Sequence, residues 1–162
     1  MNNFNCITTA AEFKFIRTEI RRSGQKLVFT NGCFDLLHRG HIHLLQQARA
    51  TGDILVVGMN SDASIREIKG SQRPIISQAE RACILCALKS VDYVIIFDEP
   101  TPLKVIQEIC PDILVKGSDW GASEIVGADF VQTHQGQVVR IPLLEGYSTS
   151  QIIDTICRKF QR

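Results

Sequence analysis

No stretch of this sequence approaches the roughly 20 consecutive apolar residues of a membrane-crossing helix. Its apolar content, 44% of 162 residues, is therefore free to fill the core of one compact domain. A basic excess is also missing: 18 Lys and Arg stand against 17 Asp and Glu, a net charge of +1. That balance disfavours a broad nucleic-acid-binding face, yet permits a small anionic ligand held by a few local cations. The G-x-G-x-x-G and G-x-x-x-x-G-K-[ST] patterns are absent, which disfavours dinucleotide binding of the usual kind and P-loop hydrolysis. The opening residues, Met1 to Thr9, are polar and lack the charged and apolar regions of a secretory signal. These absences predict a cytoplasmic protein, without membrane or nucleic-acid partner, whose six cysteines remain thiols. Cys83 and Cys86 form a C-x-x-C, but they lie in the apolar run from Ala82 to Leu88 with no second pair at ligand spacing. They are expected to be buried core thiols rather than a zinc or redox site.

What is present is an alternation of short apolar runs with amphipathic stretches. Thr9 and Glu12 have the spacing of a capping box, and Phe13, Ile16 and Ile20 continue at helical spacing, predicting a helix over residues 9–23. Residues 27–30, 54–59, 93–97, 113–115 and 138–141 read as strands. Helices are expected after the first strand (Leu44, Leu45, Ala48), from the Ser77/Glu80 capping box to about Lys89, from Thr101-Pro102 to before Pro111, and from Ser148 or Thr149 onward. Residues 67–76 look like a mobile loop, and the segment between the last two strands is poorly defined. The pattern predicts an α/β fold, a doubly wound five-stranded parallel sheet of Rossmann-like type. Ligands of such sheets bind beyond the carboxyl ends of the strands, where strand order reverses.

The densest chemical signal lies in the loop after the first strand, Asn31-Gly32-Cys33-Phe34-Asp35, and in His38-Arg39-Gly40-His41 at the start of the next helix. Free N–H groups and the helix dipole favour a phosphate there. His38 and His41 share a face, each with a hydrogen bond to donate to a phosphate oxygen, and Gly40 lets a phosphate approach the backbone. Two surface histidines are the bland alternative. A metal site with His43 is the other, but His43 points elsewhere on a helix and no carboxylate completes the set, so no protein metal ligands are assigned.

The stretch resembles the H-x-G-H signature of the nucleotidyltransferase superfamily that includes glycerol-3-phosphate cytidylyltransferase. More specifically, it is similar to the adenylyltransferase domain of bifunctional ADP-heptose synthase. The likeness spans residues 26–157 of what is read as a single nucleotidyltransferase domain over 1–162. It includes Asn60-Ser61-Asp62, Lys69-Gly70 with Arg73-Pro74, Arg81, the run Asp112 to Trp120, and Glu145-Gly146-Tyr147-Ser148-Thr149-Ser150. Where the cytidylyltransferase motif carries an arginine, this sequence has Leu143, as in the heptose branch.

The resemblance implies adenylyl transfer from ATP to D-glycero-β-D-manno-heptose 1-phosphate, giving ADP-heptose and pyrophosphate, with Mg²⁺ accompanying the ATP. His38, His41, Lys69 and Arg73 would be catalytic. Asn31, Gly32, Cys33, Phe34, Asp35, Gly40, Asn60, Asp62, Arg81 and residues 147–150 would bind nucleotide. Lys116, Gly117, Asp119 and Trp120 would bind the acceptor. Simpler roles stand beside these: solvated loop charges for Lys69 and Arg73, a surface position for Arg81, helix capping for Asp62 and Ser148, loop orientation for Asp35, packing for Trp120. A homodimer or higher homo-oligomer and a separate upstream heptose kinase are the implied partners. The alternatives are cytidylyl transfer to glycerol 3-phosphate or another polyol phosphate, and a non-catalytic nucleotide-sensing module.

Overall fold

In the computed structural model, which describes residues 6–118 and 125–160, every strand pairing is parallel. The chain alternates β1 (Ile7–Thr8), α1 (Ala10–Arg22), β2 (Leu27–Gly32), α2 (Arg39–Arg49), β3 (Ile54–Asn60), α3 (Asp62–Lys69), α4 (Gln78–Cys86) and β4 (Tyr93–Phe97). It continues through α5 (Leu103–Ile109), β5 (Ile113–Gly117), α6 (Ala128–Thr133), β6 (Gln137–Ile141) and α7 (Thr149–Phe160). The sheet order is β1-β4-β3-β2-β5-β6, so the direction of winding reverses between β2 and β5.

Side chains that alternate along each strand feed two cores. Leu27, Phe29, Val56 and Leu114 pack against Phe13 and Ile20 of α1, Ile106 and Ile109 of α5, and Val131 of α6. Val28, Leu55, Val57, Met59 and Val115 face the other way, onto Leu45 and Ala48 of α2 and Ala82 and Leu85 of α4. Strands covered on both faces explain their near-continuous apolar runs.

Both capping boxes are present. Thr9 and Glu12 satisfy each other's backbone donors ahead of α1, as do Ser77 and Glu80 ahead of α4.

Four expectations need correction. The sheet has six strands rather than five: β1 is a two-residue strand added beside β4, where Ile7 registers with Val94. Residues 67–69 belong to α3, so the loop begins at Gly70. Pro102 caps α5 rather than filling its first turn. The cysteines of the C-x-x-C are not buried thiols: Cys86 is joined to Cys6 in a disulfide with a Cα–Cα distance of 5.8 Å, and Cys83 is exposed. No helix among the described residues is long and apolar enough to cross a membrane.

Candidate active site

The turn that follows β2 departs from ordinary backbone. Phe34 adopts φ +47°, a left-handed conformation costly for a bulky residue, and its ring is nevertheless buried, 5.3 Å from that of His41. This turn drives Asp35 inward. Its carboxylate accepts the amides of Ile75 (2.8 Å) and Ile76 (3.0 Å) and Nε of Arg73 (2.6 Å). Burial alone would raise the carboxyl pKa. The Ile76 and Ile75 amides and the Arg73 guanidinium outweigh it and hold Asp35 below the usual carboxylate range. Asp35 therefore orients the 73–76 loop and has little left to offer a nucleotide.

His38 is the N-cap of α2, its Nδ1 accepting the Gly40 amide at 3.1 Å. A neutral His38 consequently carries its proton on Nε2. The His38 and His41 rings stack, centroids 3.8 Å apart and 23° from parallel. Desolvation, with the charge of His38 as a second cause, pushes His41 down to about pKa 4, against a smaller upward pull from Asp35. Desolvation also lowers His38. Nδ1 of His41 is buried without a hydrogen-bond partner among the described residues. The backbone at Gly40 is closely approached: a Cβ there would lie 3.0 Å from the His38 imidazole and 3.3 Å from Cβ of Tyr147, so a neighbour would have to give by a few tenths of an ångström.

The stacked pair stands between two cavities at the carboxyl ends of the strands. The larger, of about 540 Å³, is lined by His41 with Asn31, Gly32, Cys33, Phe34, Asn60, Lys69, Lys116 and Gly117. The sequence reading singled out all of these. Residues it did not single out complete the wall: Pro100, Thr101 and Pro102 after β4, and the apolar Leu44, Ile68, Val126 and Leu143. The smaller cavity, of about 280 Å³, is lined by His38, Gly146, Tyr147 and Ser148 with the first turns of α7. Ser148 Oγ accepts the Gln151 amide at 3.2 Å, capping α7. Within the larger cavity, Lys116 Nζ donates to Asn31 Oδ1 at 2.8 Å, and Asn60 Nδ2 donates to Ser64 Oγ at 2.9 Å. Burial is the main influence raising the Cys33 thiol, opposed by nearby Lys69, Arg81 and Arg73.

Arg81 does not reach the cleft as a phosphate clamp. It is 1% exposed, and its guanidinium donates to Ile76 O, Cys33 O and Asp62 Oδ1. The anion that a cation in the first turn of α4 calls for is Asp62. Asp62 carries that ion pair from the first helical position, and the N-cap of α3 is Ser61, whose side chain accepts the Ser64 amide. Arg73 is likewise turned onto Asp35 and does not line either cavity. Asp119 and Trp120, expected at the acceptor, lie outside the described residues.

Among the described residues no group of three or more His, Cys, Asp or Glu side chains is placed to hold a metal ion. The nearby carboxylates of Asp35 and Asp62 are engaged by arginines. The described side chains thus do not fit a protein-held divalent cation.

Comparison with known proteins matches the geometry. The chain is 54% identical over 142 residues to Bifunctional protein HldE of Syntrophotalea carbinolica, an overlap covering 88% of this chain and 29% of that protein. It is 56% identical over 137 residues to Bifunctional protein HldE of Citrifermentans bemidjiense, covering 85% and 28%. The chain thus spans under a third of the length of these relatives. The solved structure of the lipopolysaccharide core biosynthesis protein from Thermoplasma volcanium superposes with a TM-score of 0.63 at 31% identity, over 77% of this chain and all of that one. The Cytidylyltransferase-like family model matches residues 29–155, which begins in β2, takes in the stacked histidines and ends inside α7: the chain belongs to the cytidylyltransferase-like family.

Proposed function

We propose that this chain transfers AMP from ATP to D-glycero-β-D-manno-heptose 1-phosphate, releasing pyrophosphate and forming ADP-heptose. The observation that carries the reading is the stacked His38–His41 pair at the wall between two cavities. The resemblance to the adenylyltransferase domain of ADP-heptose synthases, and the identity to proteins named HldE, supply the substrates.

The reaction asks little covalent chemistry of the protein. An oxygen of the acceptor phosphate attacks the α-phosphorus of ATP; the bond from that phosphorus to the bridging oxygen breaks, and pyrophosphate leaves on the opposite side. The attacking oxygen is already anionic, so no general base is needed. Catalysis consists of aligning two polyanions and spreading the developing charge. In this reading His38 donates from Nε2 and His41 donates beside it, on the α- and β-phosphates. The N–H groups and hydroxyls at the start of α7, from Ser148 to Ser150, take the outer phosphates. Lys69 and the Asn31–Lys116 pair face the reacting groups from the larger cavity. Arg73 acts through Asp35, by fixing the loop beside Lys69. Mg²⁺ would enter with the triphosphate and supply charge neutralisation there, since no side-chain cluster among the described residues fits it.

A homodimer and a kinase activity supplying the sugar 1-phosphate belong to this proposal, as does a cytoplasmic setting. The test is pyrophosphate release from ATP, CTP, GTP and UTP against a panel of sugar and polyol phosphates. ATP with heptose 1-phosphate is expected to give the highest kcat/KM. A higher value for CTP with glycerol 3-phosphate would overturn the substrate assignment, and nucleotide binding without pyrophosphate release from any pair would overturn the enzyme.

A further inference from the structure

Arg39 occupies an electrostatically awkward place. It is the first residue of α2, at the positive end of the helix dipole, and the first turn of that helix contains no acidic residue. Its guanidinium forms no ion pair among the described residues. A cation so placed is repelled unless an anion joins it. Arg81 shows how this chain resolves the same conflict internally, with Asp62. Among the described residues no such carboxylate attends Arg39.

An aromatic ring holds it instead. Cζ of Arg39 lies 5.9 Å from the centroid of the Tyr147 ring, and Nη1 is 3.5 Å from the Tyr147 hydroxyl. A cation–π contact orients a guanidinium while leaving its charge unneutralised. Tyr147 follows Gly146, which takes φ +79°, and its Cβ approaches the backbone of Gly40, while the side chain stays 42% exposed. Tyr147 also lines the smaller cavity, with His38 and Ser148. The segment 143–150 contains no Lys or Arg, and Arg73 and Arg81 are committed to carboxylates.

Arg39 is exposed and is not itself part of either cavity wall; we infer that it is a nucleotide-binding residue, held on the ring of Tyr147 beside the smaller cavity and drawn to the β- and γ-phosphates, and so to the leaving pyrophosphate, when a polyanion binds there. This rests on the reaction proposed above, and it adds to it a specific cation for the leaving-group end. Arg39 and Tyr147 also clasp the start of α2 to the start of α7, so that both helix termini present their N–H groups to one polyanion.

The test uses the full chain and its Arg39→Ala, Arg39→Lys, Tyr147→Leu and Tyr147→Phe variants, with inorganic pyrophosphate plus Mg²⁺ as the binding probe. Arg39→Ala is expected to raise KM for ATP and Kd for pyrophosphate by roughly tenfold, as for loss of one charge-assisted contact. KM for the sugar phosphate should stay within about twofold. Arg39→Lys should recover part of the loss, Tyr147→Phe should keep most of the affinity, and Tyr147→Leu should lose several-fold, since only the last removes the π face. A residue with only a structural role would shift the melting temperature and both KM values together. Wild-type affinity for ATP and pyrophosphate in Arg39→Ala, in a chain that turns over normally, overturns this inference alone. Failure of the unaltered chain to bind either probe overturns the proposed function and this inference with it.

Discussion

His38 and His41 meet ring to ring, 3.8 Å between centroids, and yet point at different cavities, His38 at the smaller and His41 at the larger. The stack is possible because His38 is the N-cap, in extended backbone, while His41 lies within the first turn of α2. Replacing His41 by Ala is expected to lower kcat by about 100-fold, the scale for losing a donor that acts on transition-state charge; His38→Ala should behave similarly. The check is kcat together with a far-UV spectrum showing an intact fold. Near-normal turnover in either variant would refute the assigned mechanism.

Protonation offers an independent reading of the same pair. Burial holds both histidines below the ordinary imidazole value, His41 at about pKa 4, so both are neutral in the free protein at pH 7. A bound polyanion favours the charged forms and raises both values. Nucleotide binding should therefore take up protons, and ATP affinity should rise as pH falls from about 7.5 to 5.5, around the reference histidine value. Calorimetry of ATP binding in buffers of different ionisation enthalpy measures this uptake. Folding should show the opposite trend. Because the folded-state value of His41 is depressed, its unfolded form binds a proton first, and stability should be lost as pH falls from about 6.5 toward 4. Urea midpoints for the chain and for His41→Gln should diverge at pH 7 and converge in that window, whereas parallel curves would show that His41 is not buried neutral.

Asp35 shows where the sequence stopped being legible. The Gly32–Asp35 turn and the histidine spacing are local patterns and are visible in the sequence, as are the two capping boxes that open α1 and α4. What Asp35 binds is 38 to 41 residues away in the chain, and no periodicity records such a partner. The same holds for Arg81, whose position in a first turn announced a nearby anion without saying that the anion was Asp62 and not a ligand. β1 escaped because two residues cannot establish an alternation, and α6 because its six residues fall in a segment with no cap to mark its start. The 100–102 wall was read only as a helix start, since proline in that position explains itself locally.

The Asp35 contacts make the 73–76 loop structured before any nucleotide arrives. Amides of Ile75 and Ile76 should be protected from hydrogen exchange in the free chain, and Asp35→Ala should abolish that protection. Lys69, the last residue of α3, and Gly70, whose amide donates to the Arg66 carbonyl at the end of that helix, should gain further protection on adding ATP with Mg²⁺. If Ile75 and Ile76 exchange freely in the unaltered chain, the anchoring role of Asp35 is wrong. If Lys69 and Gly70 are unmoved by saturating nucleotide, closure over the triphosphate is wrong.

Arg81 is the side chain whose loss should cost the fold most for its size. Its guanidinium is inaccessible and joins three separate segments: the Cys33 carbonyl of the turn after β2, the Ile76 carbonyl at the end of the loop, and Asp62 at the start of α3. Removing it strands two carbonyls and a partly buried carboxylate, and breaking a buried pair from one side typically costs about 3–5 kcal/mol. Asp62 retains some solvent, 23% of its side chain, which places the expectation near the lower end. For a chain of this length that loss lowers the melting temperature by roughly 10 °C. Arg81→Met, which keeps the aliphatic stem, should show this fall, and Asp62→Asn a smaller one because it leaves an amide oxygen to accept. Activity should drop with Arg81→Met as well, but saturating ATP should recover part of the melting temperature, since the phosphate site is displaced rather than deleted. A melting temperature within about 2 °C of the unaltered chain, an interval worth under 1 kcal/mol, would mean that Arg81 is not the brace between turn, loop and helix.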